Sequence, residues 1–129
     1  MSLRVGIDVV SVESVEESIG RHGTRYLERI YTTAELDDSR DACGKPVAER
    51  LAARFAAKEA TRKALRIGDE AIPWRHIGVR RDQSGAPRLE LTGRARAAAY
   101  REGISVVEVS LSHDGPMAAA VVVAEVGSR

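Results

Sequence analysis

The stretch from residue 47 to residue 65 constrains the fold more than any other, because it is the longest segment with helical periodicity. Within it, four alanines recur at steps of four, three and four residues and form one stripe: Ala53, Ala57, Ala60 and Ala64. Small side chains allow a helix to approach its neighbour closely. We therefore predict one long helix, closely packed along this stripe, with Pro46 in its first turn.

The chain begins with a period-two pattern, which predicts a β-strand over residues 3–10. One face of this strand carries only apolar side chains: Leu3, Val5, Ile7 and Val9. Asp8 lies on the opposite face, where a carboxylate is either a solvent-exposed residue or a ligand. Exposed acidic residues are the norm, so Asp8 alone favours the solvent-exposed alternative. Because Asp8 faces away from the apolar row, we expect its replacement to leave the fold intact.

Local signals place the remaining elements. Ser11 suits the N-cap of a first helix, and Thr32 and Glu35 have the spacing of a capping box that opens another short helix. Four strand-like segments form two hairpins: 76–81 with 87–91, and 104–112 with 117–124. A helix over 94–101 separates the hairpins. This order predicts a single α+β domain over residues 1–129, with a mainly antiparallel sheet packed against the long helix.

The charge balance and the single cysteine exclude several classes of function. The chain has 20 lysines and arginines against 19 acidic residues, a net charge of +1, and 4% aromatic residues, which argue against a nucleic-acid or membrane partner. No apolar stretch approaches the length of about 20 residues that spans a bilayer, and the N-terminus lacks the pattern of a secretory signal. Cys43 alone forms neither an internal disulfide nor a thiolate metal site, so we expect a cytoplasmic protein.

Basic residues crowd the long helix and its end, which favours a local anion site: Arg50, Arg54, Lys58, Arg62, Lys63 and Arg66. Glu59 and Lys63 share one helix face, and on spacing alone they are a solvated pair worth about 0.2–0.5 kcal/mol. The functional alternative requires Glu59 to meet Asp8, since two converging carboxylates need a cation between them. Mg²⁺ suits such hard oxygen ligands and leaves positions for substrate phosphates. Arg54 and Lys63 would then hold the remaining phosphate charge.

His113 follows Ser110-Leu111-Ser112 at the predicted end of a strand. A histidine there is usually a surface hydrogen-bonding residue, and the alternative is a residue that holds a phosphate or orients a nucleophile. The sequence has no G-x-S-x-G elbow, no G-x-x-x-x-G-K-[ST] loop and no G-x-G-x-x-G fingerprint. The three histidines also lack a zinc-binding spacing.

Four segments in order carry a more specific signal. They read G-I-D-V-V at 6–10, R-F-A-A-K-E-A at 54–60 followed by Lys63-Ala64 and Gly68, G-A-P-R-L at 85–89, and S-L-S-H at 110–113 followed by A-A-A-V at 118–121. Together they resemble the small holo-acyl-carrier-protein synthase family of phosphopantetheinyl transferases. The segment around Glu59 is the most specific, and the resemblance spans nearly the whole chain.

The resemblance implies transfer of 4′-phosphopantetheine from coenzyme A to a serine of an apo acyl carrier protein, with release of 3′,5′-adenosine bisphosphate. By this resemblance, Asp8 and Glu59 bind Mg²⁺, or Mn²⁺ in its place, and Lys63 completes the catalytic set. Glu59 is the base, acting directly or through a water. The coenzyme-binding positions that match the family's motifs are Arg54, Lys63 and His113 at the phosphates, with Gly68 and Pro87 along the cleft. Family members are commonly homotrimers with sites between subunits, so one site takes residues from two chains.

Two positions depart from the family's pattern. The positions three and six residues after Asp8 are usually an acid that organises the metal site and an arginine that meets the carrier, and here they are Ser11 and Ser14. Candidate replacements for the arginine lie nearby: Arg21, Arg25 and Arg29. Two alternatives therefore stay open. The partner is a carrier from a polyketide or peptide pathway instead of the fatty-acid carrier, or the chain is a catalytically weakened module that binds coenzyme A or a carrier.

Overall fold

The chain folds into five strands and five α-helices over residues 1–127, the part that this computed structural model describes. The strands are β1 (Ser2–Ser11), β2 (Ile77–Arg81), β3 (Pro87–Leu91), β4 (Ile104–Asp114) and β5 (Met117–Val126). The helices are α1 (Val12–His22), α2 (Thr24–Ile30), α3 (Thr33–Asp38), α4 (Ala48–Leu65) and α5 (Gly93–Arg101), with a 3₁₀ turn at Trp74–His76. Within residues 1–127, none of these helices is both long enough and apolar enough to cross a bilayer.

Three strands form an antiparallel sheet in the order β1-β5-β4, and β2 and β3 form a separate hairpin. Asp8 on β1 pairs with Ala120 on β5, which pairs with Leu111 on β4, so these side chains share one face. His113 pairs with Ala118 on the same face, two positions further along β4. The predicted α+β fold with a mainly antiparallel sheet is confirmed.

Helix α4 covers the face of the sheet that carries Asp8, which we call the inner face. The alanine stripe lies in this contact, where Ala57, Ala60 and Ala64 are fully buried. The closest approach is at Gly6 on β1, where a side-chain carbon would lie 1.9 Å from the carbonyl oxygen of Ala60. Any larger residue at position 6 would push α4 away from β1. The close packing predicted for the long helix is therefore confirmed.

The opposite face of the sheet, which we call the outer face, is uncovered, and its β1 side is apolar. Four β1 side chains on it are between 55% and 63% exposed: Leu3, Val5, Ile7 and Val9. Val106 on β4 and Met117 on β5 continue the apolar surface. Asp8 does lie opposite the apolar row, as predicted, but it is not freely exposed, because α4 covers its face. The period-two pattern does not reveal which face a helix covers; the absence of a side chain at Gly6 lets α4 pack on the less apolar one.

The helix boundaries confirm two local signals and correct a third. Ser11 caps α1, because its hydroxyl accepts a hydrogen bond from the first turn at 3.3 Å. Thr32 and Glu35 form both bonds of the predicted capping box. Pro46, by contrast, is not in the first turn of α4, which begins two residues later. Pro46 instead pairs with Arg40 in an isolated β-bridge, which holds the chain extended before the helix starts.

Candidate functional site

The first candidate site is a groove beside the second half of α4. Its lining residues come from α4 and the loop that follows: Glu59, Arg62, Lys63, Arg66 and Gly68. The groove has a volume of about 420 Å³. Lys63 connects it to β1, because its Nζ donates to Asp8 Oδ1 at 3.1 Å and to the carbonyl oxygen of Ile7 at 2.8 Å. Four of the predicted site residues thus meet in one region: Asp8, Glu59, Lys63 and Gly68.

Asp8 and Glu59 are the carboxylates predicted to hold a metal ion; Glu59 lines the groove, and Asp8 is joined to it by the bond from Lys63. In the part of the chain that the structure describes, no group of three or more His, Cys, Asp or Glu side chains is arranged to hold a metal. Mg²⁺ typically takes one or two carboxylates and fills its other positions with water and substrate phosphates. The residues present therefore fit Mg²⁺ better than a zinc or calcium site, which needs more protein ligands.

Arg62 shapes the wall of the groove. Its guanidinium donates to the carbonyl oxygens of Gly68 at 2.7 Å, Glu70 at 2.8 Å and Ile72 at 3.3 Å. It also lies over the ring of Trp74, 5.3 Å from the ring centre. Arg62 thereby fixes the loop from residue 68 to residue 74 against α4. Its N–H donors are largely used by these loop carbonyls.

The second candidate site is a basic cavity of about 160 Å³ at the first half of α4. Arg54, Arg50, Arg81 and His113 are among its lining residues. Arg54 is 1% exposed, and although one of its nitrogens donates to the carbonyl oxygen of Arg50 at 3.2 Å, Nε and Nη2 have no partner among the described residues. Burial lowers the pKa of Arg54, the carboxylate of Glu35 opposes this shift, and the charge of Arg81 adds to it. An anion in this cavity would complete the unsatisfied hydrogen bonds of Arg54.

The predicted site residues therefore form two groups in one chain. Arg54 and Lys63 are nine residues apart on α4, which corresponds to about 13 Å along the helix axis. His113 lies with Arg54. Pro87 pairs with Arg81, so it belongs to the cavity's side of the hairpin rather than to the groove with Gly68. Sequence patterns gave no signal for Arg81, because a hairpin distant in sequence brings it to α4.

We also did not predict from the sequence that Lys58 is buried and connects several elements of the fold. Lys58 Nζ donates to Glu35 Oε1 at 2.6 Å, to the carbonyl oxygen of Trp74 at 3.2 Å and to that of Ile77. Glu35 in turn accepts the backbone N–H of Val79 at 3.1 Å. These bonds join α3, α4 and β2. The available sequence signal was the position of Lys58 among the buried alanines of α4.

Comparison with known proteins places this arrangement in a family. The model of the 4′-phosphopantetheinyl transferase superfamily matches residues 4–122. The holo-[acyl-carrier-protein] synthase of Moorella thermoacetica is 46% identical over 123 residues, which cover 95% of this chain and 94% of that protein. The protein of the same name from Desulforudis audaxviator is 41% identical over 124 residues, or 96% and 93% of the two chains.

Two solved structures share the fold at similar coverage. The ACPS–CoA complex of Chronobacterium ammoniagenes has a TM-score of 0.81 and 29% identity, covering 99% of this chain and 100% of that one. Helicobacter pylori holo-[acyl-carrier-protein] synthase in complex with coenzyme A has a TM-score of 0.81 and 30% identity, covering 94% and 99%. The sequence match and the structural match extend over both candidate sites. The chain therefore belongs to the 4′-phosphopantetheinyl transferase superfamily and, within it, to the holo-[acyl-carrier-protein] synthases.

Proposed function

We propose that the chain transfers the 4′-phosphopantetheine arm of coenzyme A to a serine hydroxyl of an apo acyl carrier protein. The observation that supports the proposal is the ion pair of Lys63 with Asp8, because it links β1 to the basic groove that Lys63 and Glu59 line. The serine oxygen forms a bond to the β-phosphorus of the coenzyme, the bond from that phosphorus to the bridging oxygen breaks, and 3′,5′-adenosine bisphosphate leaves. The serine proton passes to Glu59, directly or through a water.

The proposal includes Mg²⁺, or Mn²⁺ in its place, held by Asp8 and Glu59. When bound, the ion neutralises negative charge that develops on the phosphate oxygens. Strand β1 and the bond from Lys63 position Asp8, while the middle of α4 positions Glu59. Lys63 uses two of its N–H donors for Asp8 and Ile7 in the structure, which leaves its third donor for a phosphate oxygen.

The basic cavity is proposed to bind a further phosphate of the coenzyme. Arg54 supports this assignment, because its Nε and Nη2 are buried without a partner among the described residues. Arg50, Arg81 and His113 add donors around the same space. Three guanidinium groups in one small cavity repel each other, and an anion with charge close to two would relieve that repulsion. Pro87, next to this cavity, and Gly68, in the groove, would line the path between the two phosphate positions.

The enzyme is further proposed to be a homotrimer whose sites lie between subunits. The outer face supports association, because β1 leaves four neighbouring apolar side chains more than half exposed on it, and apolar patches of this kind often mark protein–protein interfaces. The separation of Arg54 and His113 from Lys63 supports shared sites, since the cavity of one chain would then complete the groove of another. A cytoplasmic location completes the proposal, and the exposed, unpaired Cys43 is in keeping with a reducing compartment.

A mixing experiment tests the shared site. Asp8→Ala and His113→Ala are made as separately tagged chains, and each is expected to be inactive as a homo-oligomer. Co-expressed and purified through both tags, they should regain activity, because some sites combine an intact groove with an intact cavity. No recovery in verified hetero-oligomers would mean that each site lies within one chain.

The association surface is tested separately with Val5→Glu on the outer face. This variant should reduce the molecular mass of the particle measured by light scattering, and an unchanged mass would place the interface elsewhere.

The carrier partner is proposed to dock on α1 and α2. Ser11 is used as the cap of α1 and Ser14 is exposed, so neither supplies a positive charge to a carrier. Arg25 and Arg29 lie beside Tyr26 on a groove of about 340 Å³, and these basic and aromatic side chains suit an acidic amphipathic helix. The carrier that the enzyme accepts determines its pathway, which is either fatty-acid synthesis or polyketide and peptide synthesis.

The function itself is tested by intact-mass spectrometry of a panel of apo carriers incubated with the protein, coenzyme A and Mg²⁺. We expect one carrier class to gain one phosphopantetheine mass and to lose that gain in EDTA. Binding of coenzyme A without transfer to any carrier would instead favour the weakened binding module, for which Ser11 and Ser14 are the motivation. In that case, restoring Ser11→Glu and Ser14→Arg together is the next variant, and recovery of transfer would locate the defect.

A further inference from the structure

Arg66 has a backbone conformation that arginine rarely adopts. Among residues 1–127 it is the one non-glycine residue with a positive φ, at φ 55° and ψ 40°, and this left-handed region disfavours L-residues with a side chain. The end of α4 imposes it, because Ile67 N–H bonds to the Arg62 carbonyl at 3.2 Å and Arg66 N–H to the Lys63 carbonyl at 3.1 Å. This is the Schellman arrangement, in which glycine is the usual residue. Ile67 is buried, so the turn cannot relax without exposing it.

No contact within the described chain accounts for an arginine there. The side chain is exposed and lines the groove, and it forms no hydrogen bond, ion pair or ring contact with the rest of residues 1–127. The other two cations of the groove are engaged, Arg62 by three loop carbonyls and Lys63 by Asp8 and Ile7. Arg66 is therefore the one groove cation whose donors are all available to a ligand.

We propose that Arg66 binds the diphosphate of coenzyme A and determines the affinity for the coenzyme rather than the rate of transfer. The inference rests on the proposed function, which brings the diphosphate to Glu59 and Lys63. Lys63 and Arg66 are about one helical turn apart, so their side chains face the same groove. A guanidinium can donate two parallel N–H bonds to phosphate oxygens. The Schellman turn fixes the backbone from which the Arg66 guanidinium extends.

The variant Arg66→Gly separates binding from folding. Glycine is the residue that the left-handed turn prefers, so the Tm should stay unchanged or rise. The Kd of coenzyme A, measured by calorimetry, and its KM should both rise about tenfold, while kcat is retained. Arg66→Lys keeps the charge but loses the bidentate geometry, and it should fall between the wild type and Arg66→Gly. A residue with a purely structural role would not weaken binding in a variant whose Tm is maintained.

Two further measurements identify the group that Arg66 contacts. The KM of the wild type should rise more steeply with NaCl than that of Arg66→Gly, because one exposed charge pair has been removed. The Kd ratio between Arg66→Gly and the wild type should be the same for coenzyme A and for dephospho-coenzyme A, which keeps the diphosphate but lacks the 3′-phosphate. A ratio that disappears with dephospho-coenzyme A, or an Arg66→Gly variant that binds coenzyme A as the wild type does, would overturn the inference. A wild type that binds no coenzyme A would instead overturn the proposed function.

Discussion

Two lysines of α4, five residues apart, each pair with a carboxylate from another element, and the two pairs differ in exposure. Lys58 Nζ lies 2.6 Å from Glu35 Oε1, and both side chains are 0% exposed. Lys63 Nζ lies 3.1 Å from Asp8 Oδ1, with side chains that are 54% and 20% exposed. Both lysines lie in the same short segment, residues 54–64, so the sequence of that segment alone does not distinguish them.

This difference in exposure is the basis for our proposal that one helix serves folding at one position and chemistry at another. A buried ammonium must have all its donors satisfied, and Lys58 has three acceptors in the fold: Glu35 Oε1 and the carbonyl oxygens of Trp74 and Ile77. Burial lowers the pKa of Lys58, and the carboxylate of Glu35 opposes that shift. Lys63 faces solvent with a donor to spare. We therefore propose that the buried pair stabilises the fold and that the exposed pair takes part in the reaction.

The largest effect is expected from Lys58→Met. The change leaves the Glu35 carboxylate buried without its cation, which should lower the free energy of unfolding by about 3–5 kcal/mol. For a chain of this length the Tm would fall by roughly 10–20 °C. Urea denaturation followed by circular dichroism measures the loss directly.

The double variant Lys58→Met with Glu35→Gln is the matched control. It removes both charges and keeps a side chain that can still cap α3, so it should be more stable than Lys58→Met alone. A loss below about 1 kcal/mol in the single variant would mean that the pair does not organise the fold. The proposed difference in role between Lys58, in the fold, and Lys63, in the reaction, would then be wrong.

Asp8→Ala should have the second-largest effect, on activity instead of stability. Its loss removes a carboxylate from the groove and the partner of Lys63, so the rate of metal-dependent transfer should fall by at least about 100-fold. The Tm should change by only a few degrees, because a partly exposed ion pair contributes about 1 kcal/mol or less. Steady-state kinetics and a thermal melt on the same preparation check both parts.

Full activity in Asp8→Ala would contradict the assignment of Asp8 as a metal ligand. A Tm loss as large as that of Lys58→Met would show instead that the exposed pair is architectural. Lys63→Met supplies the comparison from the other partner, and it should likewise retain the fold while losing transfer activity.

Ala57→Leu asks whether the buried side of α4 next to Lys58 is as tightly packed as the structure indicates. Ala57 is fully buried in the inner-face contact, and overpacking there should lower the free energy of unfolding by about 1–3 kcal/mol. Ala97→Leu, at an exposed position of α5, is the control and should have little effect. Equal Tm values for the two variants would show that the inner face has room that the structure does not indicate.

Features that depend on near neighbours in sequence could be predicted. The capping box of Thr32 and Glu35 and the N-cap at Ser11 involve residues three positions apart, so their side chains and partners lie within one short segment. The alanine stripe of α4 was predictable for the same reason, since helical periodicity fixes which residues share a face.

Features that depend on distant contacts could not be predicted. Glu35 was identified as a capping residue, but its second role requires Lys58, which is 23 positions away in sequence. The alternation in β1 separated Asp8 from the apolar row without revealing which face α4 covers, and that choice follows from the contact of Gly6 with Ala60. The grouping of Arg54 with Arg81 depends in the same way on where the hairpin packs.

The smallest effect is expected at another exposed pair, Asp82 with Arg88 at 3.2 Å, in the turn between β2 and β3. A hydrogen bond from the hydroxyl of Ser84, with further bonds from Arg88 and the backbone of Ala86, lowers the pKa of Asp82 to about 2. A lowered folded-state pKa means that the stabilisation is complete above the unfolded-state value near pH 4 and is lost as the pH falls towards 2.

Tm measurements between pH 2 and pH 6 should therefore show a small difference in Tm between the wild type and Asp82→Asn, and this difference should disappear on acidification. A difference that is constant with pH would mean that the charge of Asp82 does not stabilise the turn. Transfer activity should be unaffected, because this pair, unlike that of Lys63 and Asp8, holds only its own hairpin.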